Sequence, residues 1–394
     1  MSLITGVGFS THRNPKQAGL DAAREALEKA GIEKADFVFL FATVGYRQEA
    51  LVSAVREVTG DTPLSGCSGE GVIINGEVHE TNFGVVVTVV KSDEVFFSNA
   101  HAVGMSKDAD AMGREIADAL KHHEADDALA LITFADGLTL NFDAMLRGVM
   151  YQCESVNAIP FLGGTASDDW SFSATYQYCN DTVFQDGAVV TLVRGQAEMY
   201  NGSRHGCVPI GDERTVTKAE ANRILEIDGR PALDVIDEYL TVDEKQGEWS
   251  TTNVYLAIGV KAPEYMNKYD DYLIRFMPMR DKDAVYVPTE IEPGTRFYMV
   301  RRDHDKIASG NQRLAEEIHE GLKDRVPRFM LQIECIGRGK VIFEDSEKQQ
   351  LLKNMQATVS KDANWFGLYT YGEFGPVGGV NCFHNYSLIL NAIV

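Results

Sequence analysis

Three stretches of the chain repeat one order of elements, and this recurrence limits the fold more than any single motif. "DFVFLFATV" (36–44) is a continuous apolar run suited to a strand buried on both faces. "QEALVSAVREVTG" (48–60) carries apolar residues at helical spacing and closes on Gly60 as a C-cap. "TPLSGCSGEGVI" (62–73) is a short strand entering a glycine-rich turn, and "NFGVVVTVV" (82–90) is a Val-rich strand. The same order returns in "ALALITFAD" (128–136), "NFDAMLRGVMYQC" (141–153), "AIPFLGGTASDDW" (158–170) and "DGAVVTLV" (186–193). It returns again in "FMLQIECIG" (329–337), "SEKQQLLKNMQATV" (346–359), "WFGLYTYGEFG" (365–375) and "NCFHNYSLIL" (381–390). An interval of roughly 100 residues is too long for a solenoid and indicates duplication of whole folding units. Gly66, Gly163 and Gly367 are expected to end equivalent buried strands, where glycine permits positive φ or the close approach of another backbone. Each turn is expected to carry an acid: Glu70, Asp168 or Asp169, and Glu373.

The segment 200–328 interrupts the pattern. "RTVTKAEANRILEIDG" reads as a hairpin, "RPALDVIDEYL" as a helix with Pro231 at its first position, and 253–261 and 271–279 as strands. "GNQRLAEEIHEGLKDR" (310–325) reads as a helix capped by Gly310 or Asn311. A boundary falls near 195–205. The expected fold class is α/β, with two related domains whose mixed β-sheets are covered by helices. Residues 1–195 contain the internal duplication (36–90 and 128–194), and residues 200–394 form the second domain. At 394 residues and 44% hydrophobic content, the chain can bury more than one core.

A net charge of −21 repels phosphate backbones and anionic lipid, which argues against nucleic acid or a membrane surface as partner. No apolar run is long enough to span a bilayer, and the N-terminus lacks a signal pattern, so a cytoplasmic location is expected. Six scattered cysteines without a CxxC pair read as free, mostly buried thiols.

Taken together, "GCSGEG" at 66, "GGTASDD" at 163, "GCVPIGDERTVTKAEANRILEIDGRPALDV" (206–235), "ECIGRGKVIF" (334–343) and "GLYTYGEFGPVGGVNCFHNYSLIL" (367–390) resemble the FIST sensory domain in its full two-part form. The resemblance covers nearly the whole chain in the right order. It implies a ligand-sensing module that, standing alone, signals by contact with a separate protein such as a histidine kinase. It also admits a haem-based nitric-oxide sensor of the same fold.

The residues themselves offer several chemistries. Gly66–Glu70 fails the G-x-S-x-G nucleophile elbow at its last position, so Cys67 and Ser68 read first as turn residues. A cysteine-dependent enzyme using Cys67 or Cys335 is the third reading behind the two sensors. No Lys follows Gly71 to complete a phosphate loop, and the nine histidines form no HExxH or H-x3-H pair, so no metal site is expected. Arg338, Glu373, His384, Asn385 and Cys335 flank apolar strands and are expected to form a small polar pocket. Arg338 would take a ligand carboxylate in a bidentate fork and Glu373 an ammonium, which suits an amino-acid-like ligand. Ser68, Glu70, Gly163 and Gly164 join the set as turn residues able to approach a ligand. If haem is bound, His384 or His205 is the candidate iron ligand.

Overall fold

The computed structural model describes residues 3–249, 253–261 and 272–394. The first unit runs β1 (Leu3–Ser10), α1 (Pro15–Ala30), β2 (Phe37–Thr43), α2 (Gln48–Thr59), β3 (Leu64–Gly69), the hairpin β4 (Val72–Ile74) and β5 (Glu77–His79), then β6 (Val85–Ser92). The second runs β7 (Val95–Val103), α3 (Met105–Leu120), β8 (Ala128–Ala135), α4 (Phe142–Val149), β9 (Phe161–Thr165), the hairpin β10 (Gln177–Cys179) and β11 (Thr182–Phe184), then β12 (Gly187–Gly195). The third opens with β13 (Met199–His205). It is then interrupted by a separate sheet, from β14 (Cys207–Glu220) to β20 (Arg296–Arg302), accompanied among the described residues by the short helices α5 (Ala232–Asp237) and α6 (Val242–Gln246). The third unit resumes with α7 (His304–Leu322), β21 (Phe329–Cys335), α8 (Asp345–Val359), β22 (Trp365–Thr370), the hairpin β23 (Glu373–Val377) and β24 (Val380–His384), and β25 (Ser387–Ile393).

The three units build three six-stranded sheets with the same order: β1-β6-β2-β3-β10-β11, β7-β12-β8-β9-β23-β24 and β13-β25-β21-β22-β4-β5. In each, the second and third strands of a unit pair in parallel, and its last strand pairs antiparallel to the second. The outer hairpin always comes from another unit. The second unit's hairpin joins the first sheet, the third unit's joins the second, and the first unit's joins the third.

Strand alternation explains why these segments are apolar throughout. Phe37, Phe39 and Phe41 point into one apolar core shared with Ile132, Phe134, Phe329, Leu331 and Phe366 of the other units. Val38, Leu40 and Ala42 point the opposite way, under Ala18, Ala22 and Ala26 of α1 and Leu51 and Val55 of α2. Both faces of these sheets are therefore buried, with helices outside and the three sheets meeting inside.

The repeated glycines hold equivalent places. Gly66, Gly163 and Gly367 sit opposite Leu40, Thr133 and Gln332 on the neighbouring parallel strand. A Cβ there would lie 1.7, 2.1 and 1.9 Å from those residues' carbonyl oxygens. Close backbone approach, and at Gly163 a φ of 122°, requires glycine. The acids are not equivalent, since Glu70, Asp168 and Glu373 stand four, five and six residues past their glycines.

Some expected elements shift. The run 381–390 is two strands in different sheets, divided at Tyr386, whose φ of 53° breaks the extended chain. α7 begins six residues before Gly310, because Asp303 caps it by accepting the Lys306 N–H at 2.8 Å. Pro231 is the N-cap of the short α5 rather than its first turn. The strand expected over 271–279 is observed as Tyr272–Arg275, and residue 271 lies outside the described residues.

Candidate functional site

Arg338 is fully buried, and the fork expected to receive a ligand is filled from within. Its Nε donates to Glu334 Oε1 at 3.2 Å, one Nη to the Tyr386 carbonyl at 3.4 Å, and the other to Asn311 Oδ1. Lys348 adds a second cation on the same carboxylate oxygen at 2.6 Å, and Gln332 donates to Glu334 Oε2 at 2.9 Å. Burial alone would push the Glu334 carboxyl up, but Lys348 and Arg338 hold it below the usual range. The arrangement is a closed cation–carboxylate–cation cluster.

Glu373 is likewise internal. It accepts from Thr370 Oγ1 at 3.0 Å and from the Ser387 N–H at 3.2 Å, while burial pushes its carboxyl well above the usual range. Fully buried, with its carboxyl oxygens taken by Thr370 and Ser387, Glu373 lines no part of the cavity described below and is not placed to meet the ammonium of an amino-acid-like ligand there. His384 donates Nε2–H to the Gly375 carbonyl at 2.9 Å, and burial lowers it to about 4. His205 Nδ1 accepts the Cys207 N–H at 3.0 Å, and burial lowers this ring too. Neither histidine lines the cavity described below. An axial haem ligand must face a cavity wide enough for the macrocycle, so these two residues do not fit that role. Cys67 and Cys335 are buried, and burial pushes both thiols up, away from the reactive thiolate.

Ser68, Glu70, Gly163 and Gly164 serve the meeting of the three units. Ser68 Oγ donates to the Ser167 carbonyl at 2.9 Å and accepts the Tyr176 N–H at 3.0 Å. Ser167 Oγ accepts the Glu70 N–H and donates to the Tyr369 carbonyl. Gly163 and Gly164 pair with Phe374 and Glu373 across β9 and β23. The Glu70 carboxylate is covered by Lys340, and burial pushes it upward. Beside it, burial and then Glu70 itself push Glu80 up to about 8.

The open space lies elsewhere. A cavity of about 580 Å³ sits between the second unit, the third unit's hairpin and the inserted sheet. Its walls are Gly137–Leu140 after β8, Thr165 at the end of β9, the turn residues Trp170–Phe172, then Tyr371, Phe383 and Asn385, and from the insert Asn222, Phe276, Pro278, Met279 and Tyr286–Pro288. Of the residues singled out in the sequence, Asn385 alone belongs to this wall. Its amide donates to the Tyr371 carbonyl at 2.9 Å and accepts the Phe276 N–H at 2.8 Å, tying the insert to the hairpin.

Two buried aspartates shape the walls. Asp136 Oδ1 accepts the N–H groups of Leu138 and Thr139 at 2.8 and 3.0 Å, fixing the loop after β8. Asp168 accepts from the N–H groups of Phe172, Ser173 and Ala174, from Ser171 Oγ and from the Tyr371 hydroxyl. Burial would raise the Asp168 carboxyl, yet these donors hold it below its usual range. They also hold Trp170 and Phe172 at φ of 72° and 50°, a region aromatic residues rarely occupy. Phe172 stacks on Tyr371 with centroids 4.8 Å apart and planes at 8°. The sequence carried a signal for this wall. Fourteen residues separate Gly163 from the hairpin start Gln177, against six from Gly66 to Val72 and from Gly367 to Glu373.

Family models and relatives match the chain along most of its length. The FIST N domain matches residues 36–230, and the FIST C domain matches residues 232–376. An uncharacterised protein of Methanocaldococcus jannaschii is 23% identical over 92% of this chain and 73% of its own length. An uncharacterised protein of Mycobacterium tuberculosis is 23% identical over 97% of both. Among solved structures, a chorismatase aligns over 100% of this chain and 99% of its own at 8% identity and a TM-score of 0.37. The cyanuric acid hydrolase of A. caulinodans aligns over 50% and 71% at 11% identity and a TM-score of 0.29.

Proposed function

Because the chain belongs to the FIST family, whose domains are generally sensory and ligand-binding, we propose that it is a sensor holding a small molecule in the 580 Å³ cavity. The observation that carries this reading is where the cavity lies. Residues 1–195 supply the loops at 137–140 and 165–172, and residues 200–394 supply 222, 276–288 and 371–385. Taking these two spans as the protein's two parts, a ligand bridges them, and pockets commonly form at such junctions. Cavities of about 300–1,000 Å³ hold drug-sized ligands. Occupancy would bias the Trp170–Phe172 turn and the inserted sheet, altering a surface read by a separate signalling protein such as a histidine kinase.

The family gives no support to catalysis, and the buried thiols give none to a cysteine enzyme. The reading also moves the ligand away from Arg338, Glu373 and His384, whose partners are internal. The test is mass spectrometry of small molecules released from the purified full chain, beside a Leu138→Trp variant that fills the cavity. Leu138 lines the wall and is 39% exposed, so the fold tolerates the larger ring. The wild type should release a bound compound or be thermally stabilised by it, and the variant should do neither. Equal ligand retention in the folded variant would reject the cavity.

A further inference from the structure

Resting on that reading, we propose that the cavity continues behind the Phe172 ring into an inner apolar compartment, and that its ligand carries a slender apolar tail that takes the place of this ring. The first support is a second space. Beside the cavity, a gap of about 20 Å³ is bounded by Cys335, Ile336, Gly337 and Tyr386 of the third unit. Trp170, Phe172, Phe276, Tyr371 and Asn385 line both spaces and so form the partition between them. The gap is room for about one water molecule, and a gap with walls this apolar stays dry. Its lining therefore forfeits contacts that a hydrocarbon would make.

The second support is how the partition is held. Asn385 is fixed by its bonds to Phe276 and Tyr371, and Tyr371 by its hydroxyl on Asp168. Phe276 packs edge-on to Tyr386 on the inner side, with centroids 6.0 Å apart. Phe172 stands on the longer turn, with its backbone N–H anchored on Asp168. Its half-buried ring rests on aromatic contacts, stacked on Tyr371 and edge-on to Trp170 at 6.3 Å. Such contacts are weaker than the set of hydrogen bonds that Asp168 receives. Rotation about the Phe172 side-chain bonds turns the ring into the cavity while the anchored backbone stays, and the vacated volume joins the gap. The joined space then runs from the exposed Leu138 and Met279 to Ile336 and Tyr386. A hydrocarbon tail seated there replaces the ring on Tyr371 and fills the gap, whereas a charged tail would lose its hydration.

The experiment has two readouts on the full chain. In the first, without ligand, methyl methanethiosulfonate modifies cysteines and peptide mass spectrometry follows each site, with Cys335 serving as reporter of the inner compartment. Phe172→Ala should speed modification of Cys335 about five- to tenfold, the factor that corresponds to one lost aromatic pair. Cys67, Cys179 and Cys207, buried elsewhere, should keep their rates. An unchanged Cys335 rate, or an equal rise at all four, would overturn the gate, the latter because it reports general loosening. In the second, calorimetry compares phenol, 4-ethylphenol and 4-butylphenol. Affinity should rise at least about tenfold along the series, as buried methylenes require. Phe172→Trp, whose larger ring blocks the way, should flatten the rise to about twofold, and 4-butylphenol should slow Cys335 modification in Phe172→Ala. A series that stays as steep in Phe172→Trp, or one in which nothing binds, rejects the apolar-tailed ligand. Failure of the cavity reading is distinguished by Leu138→Trp, since probe binding that survives it places the site elsewhere, while the ligand-free Cys335 rates stand apart from that outcome.

Discussion

Two places in the molecule are structurally equivalent and chemically opposite. Thr139 after β8 and Arg338 after β21 stand six residues beyond the strand residue that faces each repeated glycine. Asn385 and Glu80 each follow the histidine that closes the facing hairpin. At the junction of the second and third units these positions bound an uncharged cavity. At the junction of the third and first units the protein fills the space with its own charges, where Glu334 holds Arg338 and Lys348 and Lys340 covers Glu70 and Glu80. The difference comes from small changes on one scaffold. A turn eight residues longer and an inserted sheet roof one site, and a helix-borne lysine plugs the other. Duplicated backbones thus allow one copy to specialise in stability while another is left open.

The largest expected effect would break the closed side of this pair. Glu334→Ala leaves two buried cations without a counter-charge and should cost about 3–5 kcal/mol in urea unfolding. Thermal stabilisation by whatever occupies the cavity should survive. If ligand binding is lost from a variant that still folds, the charged cluster is part of the site after all, and the contrast fails.

A smaller effect belongs to the open side. Tyr371→Phe keeps the ring over Phe172 but removes one donor from Asp168, and should cost about 1–2 kcal/mol. Ligand affinity should fall severalfold as the turn loosens. An unchanged affinity would detach the Asp168–Tyr371 bond from the cavity.

Smaller still is a slope with pH. Glu80 has its folded value raised to about 8, above the unfolded value of about 4.3. Between these the folded protein binds more protons than the unfolded chain, so stability should fall as pH rises from about 4.3 to about 8. Glu80→Gln should flatten the decline in urea midpoint, and a parallel decline in the variant would assign it to other groups. The smallest change is expected from Cys67→Ala, which should cost under about 1.5 kcal/mol and leave ligand affinity within a few-fold, because the thiol only packs. Abolished binding in a folded Cys67→Ala would contradict this.

Much of the scaffold was legible in the sequence, because strand burial writes itself into continuous apolar runs and close backbone approach demands Gly66, Gly163 and Gly367. The site was not, for a physical reason. Arg338, Glu373 and His384 look alike in sequence whether they meet a ligand or the protein. Their actual neighbours, Asn311, Lys348, Ser387 and Gly375, are fixed by tertiary packing. The cavity wall draws on segments more than 200 residues apart, and its members are ordinary apolar and aromatic residues. Asn385 was singled out as a polar residue in an apolar run, yet its role is to join Phe276 to Tyr371. The longer turn after Gly163 was visible but acquires meaning only once the other two turns are superposed on it.

The exchanged hairpins also govern how the chain is made. Residues 72–74 pair with 77–79 within their hairpin, but find their partner on the other edge only at 366–368, and the third sheet closes only on residues 387–393. A ribosome extending this chain at about 5–20 residues per second releases the first hairpin many seconds before its partner strand exists. During synthesis Val72, Ile73 and Val78 have no native cover from that sheet, so the nascent chain presents an unpaired strand edge until residues 366–368 emerge. Truncation before residue 366 should therefore expose the N-terminal hairpin and make fragments sticky, and the hairpin gains its cover only once β22 has been made.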